Sequence, residues 1–251
     1  MISRTEHTTI IAGPCAVESY GQMDTVCQTL HRLGITHLRG GCFKPRTSCN
    51  TFRGLGSEGL RIMSEMRRKY SLTVITEVRD TKHLDEVAET ADIIQIGAKS
   101  MFDNDLLLAC GEFKKTVVLK RNFAATVKEL VSAAEFISSR GNDDIILCER
   151  GIRSFENNTR FTLDLCGVSW LKENTQFPII VDPSHAMGLA YGIPDLARAS
   201  VAMGIDGLMI EIHPEPSKAL SDARQQLDMR QFEALYTSLL PIAKAIGKTI
   251  I

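Results

Sequence analysis

The sequence of 251 residues predicts an α/β fold of the (β/α)8 or TIM barrel type, and three observations support this prediction. Short apolar runs rich in Val and Ile alternate with longer amphipathic segments, an order typical of parallel strands joined by helices. Eight such runs occur, in a chain close to the ~250 residues typical of this barrel. No GxGxxG motif follows the first run, which disfavours an open doubly wound sheet. We therefore expect a single barrel domain over residues 1–251.

The strands and helices follow from the spacing of the apolar residues. The strands are predicted at residues 9–17, 37–43, 73–78, 93–98, 117–121, 145–150, 178–185 and 207–214. Within the segment 125–140, apolar residues recur at helical spacing, namely Val127, Leu130, Val131, Ala134 and Ile137. Gly34, Gly141 and Gly204 fall where helices should end, because glycine tolerates the left-handed backbone of a helix C-terminus. A last helix is predicted over 228–246.

Charge and cysteine usage exclude several classes of protein. Lys and Arg total 29 against 30 Asp and Glu, a net charge of -1 that disfavours a nucleic-acid binder or a polybasic membrane-surface protein. No stretch approaches the roughly 18 apolar residues of a membrane span, and the first residues lack the apolar region of a secretory signal. The seven cysteines form no CxxC pair, which argues against a disulfide framework or a zinc ribbon. We expect a cytoplasmic protein.

Polar side chains interrupt the predicted strands near their C-terminal ends. On the eighth strand Glu211 shares a face with Met209, and on the fifth Lys120 shares a face with Val118. At the fourth strand Gln95 and Lys99 share a face, and on the third Glu77 is the one charged residue. A buried unpaired charge costs several kcal/mol, so these groups need partners or ligands. Internal ion pairs are the alternative, but barrel enzymes bind substrates at this rim, and charges end several strands there.

One group of these residues has the character of a metal site. Cys15 follows the first strand, His185 ends the seventh, Glu211 lies on the eighth and Asp222 comes just after it. Barrel closure places strand eight beside strand one, so the four converge. Each has a structural alternative: Cys15 as a small core residue, and His185 or Asp222 as helix caps. Together, thiolate, imidazole and two carboxylates favour Mn, Fe, Co or Zn over Mg or Ca.

A second group is basic and lies at the same mouth of the barrel: Arg39, Lys44, Arg46, Lys99, Lys120 and Arg150. Such a concentration of cations in a protein of net charge -1 predicts phosphate ligands, and more than one phosphate. The charged run Arg67-Arg68-Lys69 lies on a predicted helix, where solvated surface cations are the simpler interpretation.

At these positions the sequence resembles a known family. The matching segments occur in order along nearly the whole chain: Gly13-Pro14-Cys15, Lys44-Pro45-Arg46-Thr47-Ser48, Gly54-Leu55-Gly56, Ile94-Gln95-Ile96-Gly97-Ala98, Cys148-Glu149-Arg150-Gly151, Asp182-Pro183-Ser184-His185 and the run from Asp206 to Pro214. They are similar to 3-deoxy-D-arabino-heptulosonate 7-phosphate (DAHP) synthase, in its short type I-beta form without a regulatory domain.

The resemblance implies the first step of the shikimate pathway, in which phosphoenolpyruvate and erythrose 4-phosphate give DAHP and phosphate. It implies that Cys15, His185, Glu211 and Asp222 bind a divalent metal, with Mn2+ preferred and Fe2+, Co2+ or Zn2+ as alternatives. It also implies binding of phosphoenolpyruvate by four cations, Arg39, Lys44, Lys120 and Arg150, with Lys99 beside them. Arg46 and Thr47 would hold the aldose phosphate. We expect Lys44, Cys15 and His185 to carry catalysis, with Lys44 as general acid.

The sequence departs from the family pattern at three places. Lys99 stands where the family usually has Arg, Cys49-Asn50 replaces a Pro-Tyr pair, and Asn122-Phe123 replaces a Gly-containing stretch. Lys lacks the planar fork of Arg, so weaker phosphoenolpyruvate binding is expected. The resemblance to the short form also predicts insensitivity to Phe, Tyr and Trp, because no added domain offers an effector site.

Two other functions compete with this hypothesis. One is 3-deoxy-D-manno-octulosonate 8-phosphate synthase, which uses arabinose 5-phosphate but usually has Lys-Ala-Asn-Arg-Ser-Ser in place of the segment at 44–48. The other is a catalytically silent binding barrel, which the complete set of metal-binding and cationic residues disfavours. We expect a homo-oligomer, dimer or tetramer, without nucleic-acid or membrane partners.

Overall fold

The computed structural model describes residues 2–44 and 52–251 and shows a closed parallel barrel. The strands are β1 (His7–Gly13), β2 (His37–Arg39), β3 (Thr73–Val78), β4 (Ile93–Ile96), β5 (Thr116–Lys120), β6 (Ile145–Glu149), β7 (Ile179–Val181), β8 (Gly207–Glu211) and β9 (Thr249–Ile250). Strands β1 to β8 pair in sequence order, and β1 pairs with both β2 and β8, which closes the barrel. β9 adds to the outer end of β1.

Helices connect the strands on the outside of the barrel. They are α1 (Tyr20–Arg32), α2 (Ser57–Tyr70), α3 (Leu84–Thr90), α4 (Asn104–Glu112), α5 (Val127–Ser138), α6 (Leu165–Asn174), α7 (Pro183–Met187), α8 (Ile193–Ala202) and α9 (Met229–Ala245). Capping boxes begin α5, at Thr126 and Glu129, and α9, at Asp228 and Gln231. The predicted helix ends are confirmed, since Gly34, Gly141 and Gly204 all have positive φ.

The barrel prediction is confirmed, but most predicted strands run past the observed ends. Only 73–78 has the predicted bounds. The seventh strand ends at Val181 rather than at 185, because Asp182 accepts a hydrogen bond from the backbone N–H of His185 and starts α7. His185 therefore lies on a short helix, not on a strand. Most of the other overpredicted residues lie in loops at the C-terminal end of the barrel, where the strand pairing stops and the polar side chains collect.

The apolar residues form two layers, as strand alternation predicts. Met209 belongs to the cluster that fills the barrel, whereas Leu208 and Ile210 pack outward against the helices. Ile2 joins the inner cluster, so the first residues of the described chain close the N-terminal end. The interior is therefore apolar at one end, and its charged side chains lie at the other. Among the described helices, none is long and apolar enough to cross a membrane.

Candidate active site

A cavity of about 400 Å³ opens at the C-terminal ends of the strands. Its wall includes Cys15, Lys44, Glu77, Lys99, Lys120, Phe123, Arg150, Arg160, Phe161, His185 and Asp222. Members of both groups predicted from the sequence thus line one cavity, at the end of the barrel where barrel enzymes bind their substrates: Cys15, His185 and Asp222 of the acidic group, and Lys44, Lys99, Lys120 and Arg150 of the basic group.

Four potential metal ligands meet in this cavity. One donor atom from each of Cys15, His185, Glu211 and Asp222 lies within 4.8 Å of the other three. The Cys15 Sγ lies 3.3 Å from the Asp222 Oδ2, and the His185 Nε2 lies 3.6 Å from the Glu211 Oε1. A four-coordinate ion with ligands at about 2.0–2.3 Å keeps donor atoms roughly 3.3–3.8 Å apart. The four side chains therefore fit a single divalent ion without rearrangement of the backbone.

Asp222 has an unusual backbone that directs it to this cluster. Its φ of 52° lies in the left-handed region, which is costly for a residue other than glycine and is tolerated at functional sites. Its side chain caps no helix, which removes the alternative explanation for its presence. The next residues brace the loop: Gln226 accepts from the Cys15 N–H at 3.1 Å and donates to the Ser221 carbonyl at 2.8 Å. One amide side chain thus joins the loops of the first and the last donor.

Glu211 is held on both carboxylate oxygens. The Gln225 Nε2 donates to Oε2 at 2.6 Å, and the Arg39 Nη1 donates to Oε1 at 2.7 Å. Arg39 also donates to the Pro14 carbonyl and is 2% exposed, so it lies beneath the cluster and is not part of the cavity wall. Its buried Nε has no hydrogen-bond partner among the described residues. The structure therefore places Arg39 where it supports Glu211 directly.

Asp182 connects the acidic and the basic groups. Its Oδ2 accepts from the Lys120 Nζ at 2.5 Å and from the His185 Nδ1 at 2.7 Å. Because a carboxylate only accepts, His185 carries its proton on Nδ1 and turns the Nε2 lone pair to the cluster. Burial acts to raise the pKa of Asp182, but His185 and Lys120 outweigh it and lower the pKa well below its usual value. Asp182 therefore sets the tautomer that a metal ligand needs.

One of the predicted cations, Lys44, is held close to these donors. The Lys44 Nζ lies 3.2 Å from the Cys15 Sγ, and Gly41 makes room for it, since a Cβ there would lie 2.6 Å from that nitrogen. Arg150 lies on the cavity wall, against the ring of Phe161. Lys99 is exposed on the wall. Arg46 and Thr47 lie outside the described residues.

The protonation states suit a cation at this site. Burial, reinforced by Glu211, raises the pKa of Cys15 to about 12, so the thiol holds its proton at neutral pH. Burial lowers the pKa of His185, although Asp182 opposes this, so the imidazole is neutral at pH 7. Burial opposes ionisation of Asp222, but His185 and Arg160 outweigh it and lower its pKa to about 2. Three donors are ready to bind a metal at pH 7, and Cys15 must first lose a proton.

The protonated thiol of Cys15 predicts a pH dependence of metal binding. A divalent ion that binds the Cys15 thiolate displaces one proton, because the pKa of Cys15 is about 12 without metal. The apparent affinity for Mn2+ should therefore rise about tenfold per pH unit above pH 7 and fall as pH is lowered. Calorimetric titration in buffers of different ionisation enthalpy measures the number of protons released.

The Cys15→Ser variant is the control for this measurement, because it keeps the other three donors but has no thiol proton to lose. Its affinity for Mn2+ should vary little between pH 7 and pH 9. Proton release of equal size in both proteins would show that the proton comes from a group other than Cys15.

Several supporting residues escaped sequence analysis: Asp182, Gln225, Gln226 and Phe161. Asp182 belongs to the segment that ends in His185, and the two glutamines follow Asp222 by three and four residues, so proximity to predicted donors was an available signal. No such signal pointed to Phe161, because its partners Phe123 and Arg150 come from other loops.

Comparison with known proteins gives one consistent result. The sequence model of the DAHP synthetase I family matches residues 1–246. A phospho-2-dehydro-3-deoxyheptonate aldolase of Thermotoga maritima is 46% identical over 239 residues, which cover 95% of this chain and 71% of the relative. A 2-dehydro-3-deoxyphosphooctonate aldolase of Stenotrophomonas maltophilia is 33% identical over 251 residues, which cover 93% of this chain and 90% of the relative.

Solved structures agree with the sequence comparison. The crystal structure of a DAHP synthase from Thermotoga maritima matches with a TM-score of 0.97 and 44% identity, covering 98% of this chain and 72% of that one. A truncated form of the 3-deoxy-D-arabino-heptulosonate 7-phosphate synthase from Thermotoga maritima matches with a TM-score of 0.92 and 42% identity, covering 98% of this chain and 90% of that one.

Proposed function

Because this chain belongs to the DAHP synthetase I family, we propose that it condenses phosphoenolpyruvate with erythrose 4-phosphate to give DAHP and phosphate, the first step of the shikimate pathway. The observation that carries the proposal is a cluster of four metal-type donors, three of which line a cavity whose wall also holds four cations, Lys44, Lys99, Lys120 and Arg150. An aldehyde to be activated and phosphorylated substrates to be bound require these two features side by side.

The family is metal-dependent, and the donor set supports a divalent ion held by Cys15, His185, Glu211 and Asp222. Such an ion would act as a Lewis acid on the aldehyde oxygen of the aldose. We propose Mn2+, with Fe2+, Co2+ and Zn2+ as alternatives, because a soft thiolate disfavours Mg2+ and Ca2+. Asp182, Gln225 and Gln226 keep the donors oriented through the contacts described above.

The cations would hold phosphoenolpyruvate. Lys44, Lys120 and Arg150 line the cavity, and the exposed Lys99 lies on the same wall. Arg39 is proposed to bind phosphoenolpyruvate with them, as the resemblance implies, and it also holds Glu211 through a hydrogen bond. Arg46 and Thr47 are proposed for the aldose phosphate because of the resemblance of their segment to the family. Anionic substrates would relieve the repulsion among these cations, which favours binding of both.

Lys44 is our proposed general acid. Burial acts to lower the pKa of Lys44, but the thiolate form of Cys15 and the Glu77 carboxylate outweigh it, so the pKa lies above its ordinary value and Nζ is protonated at neutral pH. The enol carbon of phosphoenolpyruvate attacks the aldehyde carbon, and Nζ donates its proton to the resulting oxygen. Water then adds to C2 of the former phosphoenolpyruvate, and phosphate leaves as the ketone forms. Cys15 and His185 would contribute as two of the residues that hold the divalent ion close to Nζ.

We also propose a single catalytic domain over residues 1–251, a cytoplasmic location and a homo-oligomer, dimer or tetramer. The six cysteines that the described ranges contain are all free thiols, as a reducing compartment favours. Phe155 and Tyr191 are 100% and 76% exposed, and exposed large apolar side chains support subunit contacts. Light scattering measures the mass in solution.

The proposed function is tested by comparing two aldoses. Phosphoenolpyruvate consumption is followed with erythrose 4-phosphate and, separately, with arabinose 5-phosphate, each with and without EDTA. We expect turnover with erythrose 4-phosphate that EDTA abolishes. A higher kcat/KM with arabinose 5-phosphate would assign the chain the activity named for its Stenotrophomonas relative. Absence of turnover with either aldose in Mn2+ would favour a silent binding barrel.

Lys99 allows a prediction about phosphoenolpyruvate affinity. Lys99→Ala should raise the KM for phosphoenolpyruvate roughly fivefold, since exposed charge pairs contribute up to about 1 kcal/mol. Lys99→Arg should match or lower the wild-type KM, because a guanidinium binds a phosphate or carboxylate with two parallel hydrogen bonds. Steady-state kinetics at saturating aldose measure both, with Lys82→Ala, another exposed lysine, as the control. An unchanged KM in Lys99→Ala would show that Lys99 does not contact this substrate.

A further inference from the structure

Two phenylalanines and two arginines form a stack along one wall of the cavity. The rings of Phe123 and Phe161 lie 5.2 Å apart between centroids and are inclined by 17°. The guanidinium carbon of Arg150 lies 4.4 Å from the centroid of the Phe161 ring, and that of Arg153 lies 4.9 Å from the Phe123 ring. These separations are in the range of aromatic stacking and of cation–π contacts. The stack places an aromatic surface directly behind a proposed substrate-binding arginine.

The backbone holds this stack in place. The Phe161 N–H donates to the Ala186 carbonyl at 2.8 Å, and the Arg153 N–H donates to the Phe123 carbonyl at 2.7 Å. Gly151, next to Arg150, has φ of +94°, and a Cβ there would lie 2.8 Å from the Cβ of Phe161. A residue larger than glycine would therefore push Phe161 away from Arg150. The close approach is a property of the loop backbone, and the side-chain stack follows from it.

Arg150 is held in a different way from the other buried arginines of the barrel. Arg39 and Arg121 each bind a buried carboxylate, at 2.7 Å and 2.8 Å. No carboxylate of the described chain lies within 4.0 Å of Arg150 in this way, and its hydrogen bonds to the Gly151 and His185 carbonyls are long, at 3.5 Å and 3.4 Å. Burial lowers its pKa, although Asp182 partly compensates. The ring of Phe161 supports the cation while leaving its N–H donors to the cavity.

We propose that Phe161, backed by Phe123, is a positioning residue that orients Arg150 toward an anionic group of phosphoenolpyruvate; this inference rests on the proposed function. A carboxylate in the same place would fix the guanidinium but would also neutralise it and compete with the substrate. An aromatic face fixes its plane and leaves the positive charge for the ligand. The role belongs to the ring as such, and an aliphatic side chain of similar volume does not supply it.

The test compares two substitutions at Phe161 with one substitution at each of two other phenylalanines. Phe161→Leu should raise the KM and the calorimetric Kd for phosphoenolpyruvate about tenfold, with kcat and the KM for the aldose within about twofold of wild type. Phe161→Tyr, which keeps the ring, should stay within about twofold in every constant. Phe123→Leu, which removes only the outer ring, should raise the same Kd by a smaller factor. Phe113→Leu, a half-buried phenylalanine outside the cavity wall, is the control.

The outcomes separate this inference from the proposed function. Wild-type protein that binds phosphoenolpyruvate without condensing it would overturn the proposed function, and the Kd values would still test the role of Phe161. An unchanged Kd in folded Phe161→Leu would overturn the positioning role, and so would equal losses in the Leu and Tyr variants. If Phe161→Leu does not fold, as judged by circular dichroism, Phe123→Leu decides: a Kd equal to that of wild type overturns the inference.

Discussion

Replacing Cys15 with Ser is expected to lower the affinity for Mn2+ roughly 10- to 100-fold or more, because even contacts behind a metal ligand contribute on that scale. A neutral hydroxyl is a poorer donor to this class of ion than a thiolate. Activity at limiting Mn2+ should fall in parallel and should recover partly at high Mn2+, since His185, Glu211 and Asp222 remain. Calorimetric metal titration and initial rates on the same samples measure both effects.

The matched control for this variant is Cys110→Ser. Cys110 is equally buried, and burial also raises its pKa to about 12, but it lies on α4 in the layer between strands and helices. This substitution should cost stability and leave metal affinity unchanged. Full activity of Cys15→Ser after exhaustive chelation would contradict the assignment of Cys15 as a ligand. A complete loss of activity that saturating Mn2+ does not relieve would point to Cys15 as a nucleophile.

Replacing Lys44 with Met should lower kcat about 10²- to 10⁴-fold, the range for loss of a positioned general acid. The methionine fills most of the same volume beside Gly41, so the change removes the ammonium group with little disturbance of the packing. The KM for phosphoenolpyruvate should also rise, because Lys44 is one of the cations in the cavity. The loss in kcat should exceed the change in KM, since a general acid acts in the transition state.

Lys69→Met provides the control for loss of one lysine charge. Lys69 is an exposed residue on α2 that pairs with Asp24, far from the cavity wall. Its replacement should leave kcat and KM unchanged. A Lys44→Met enzyme with a raised KM and a normal kcat would restrict Lys44 to binding and would contradict its role as general acid.

The barrel and the convergence of its rim residues were predictable, because both depend on strand order and on the alternation of side chains. Strand-closing pairs such as Gly13 with Glu211 place the first and the last strand side by side, and this fact alone brings Cys15 near Asp222. Alternation also predicts that Met209 and Glu211 face inward. Neither prediction depends on the conformation of a loop, and both agree with the structure.

The strand ends and the supporting contacts were not predictable in the same way. The segment at 182–185 has the apolar and β-branched surroundings of a strand, but a side-chain cap from Asp182 turns it into the helix that carries His185. The bond between Arg39 and Glu211 was not predicted, because the charge of Arg39 is visible in the sequence and its partner is not. Such pairings depend on rotamers and on loop backbones, which single-residue patterns do not encode.

The proposed reaction joins two substrates, whereas hydrolysis would consume phosphoenolpyruvate alone, and the fate of the oxygen atoms distinguishes the two reactions. Metal-loaded protein is incubated with phosphoenolpyruvate and erythrose 4-phosphate in 18O-labelled water, and both products are analysed by mass spectrometry. The proposed condensation predicts equal amounts of a seven-carbon 3-deoxy-2-keto acid 7-phosphate and of phosphate without label, because water adds to carbon. Labelled phosphate, or phosphate without the seven-carbon acid, would contradict it.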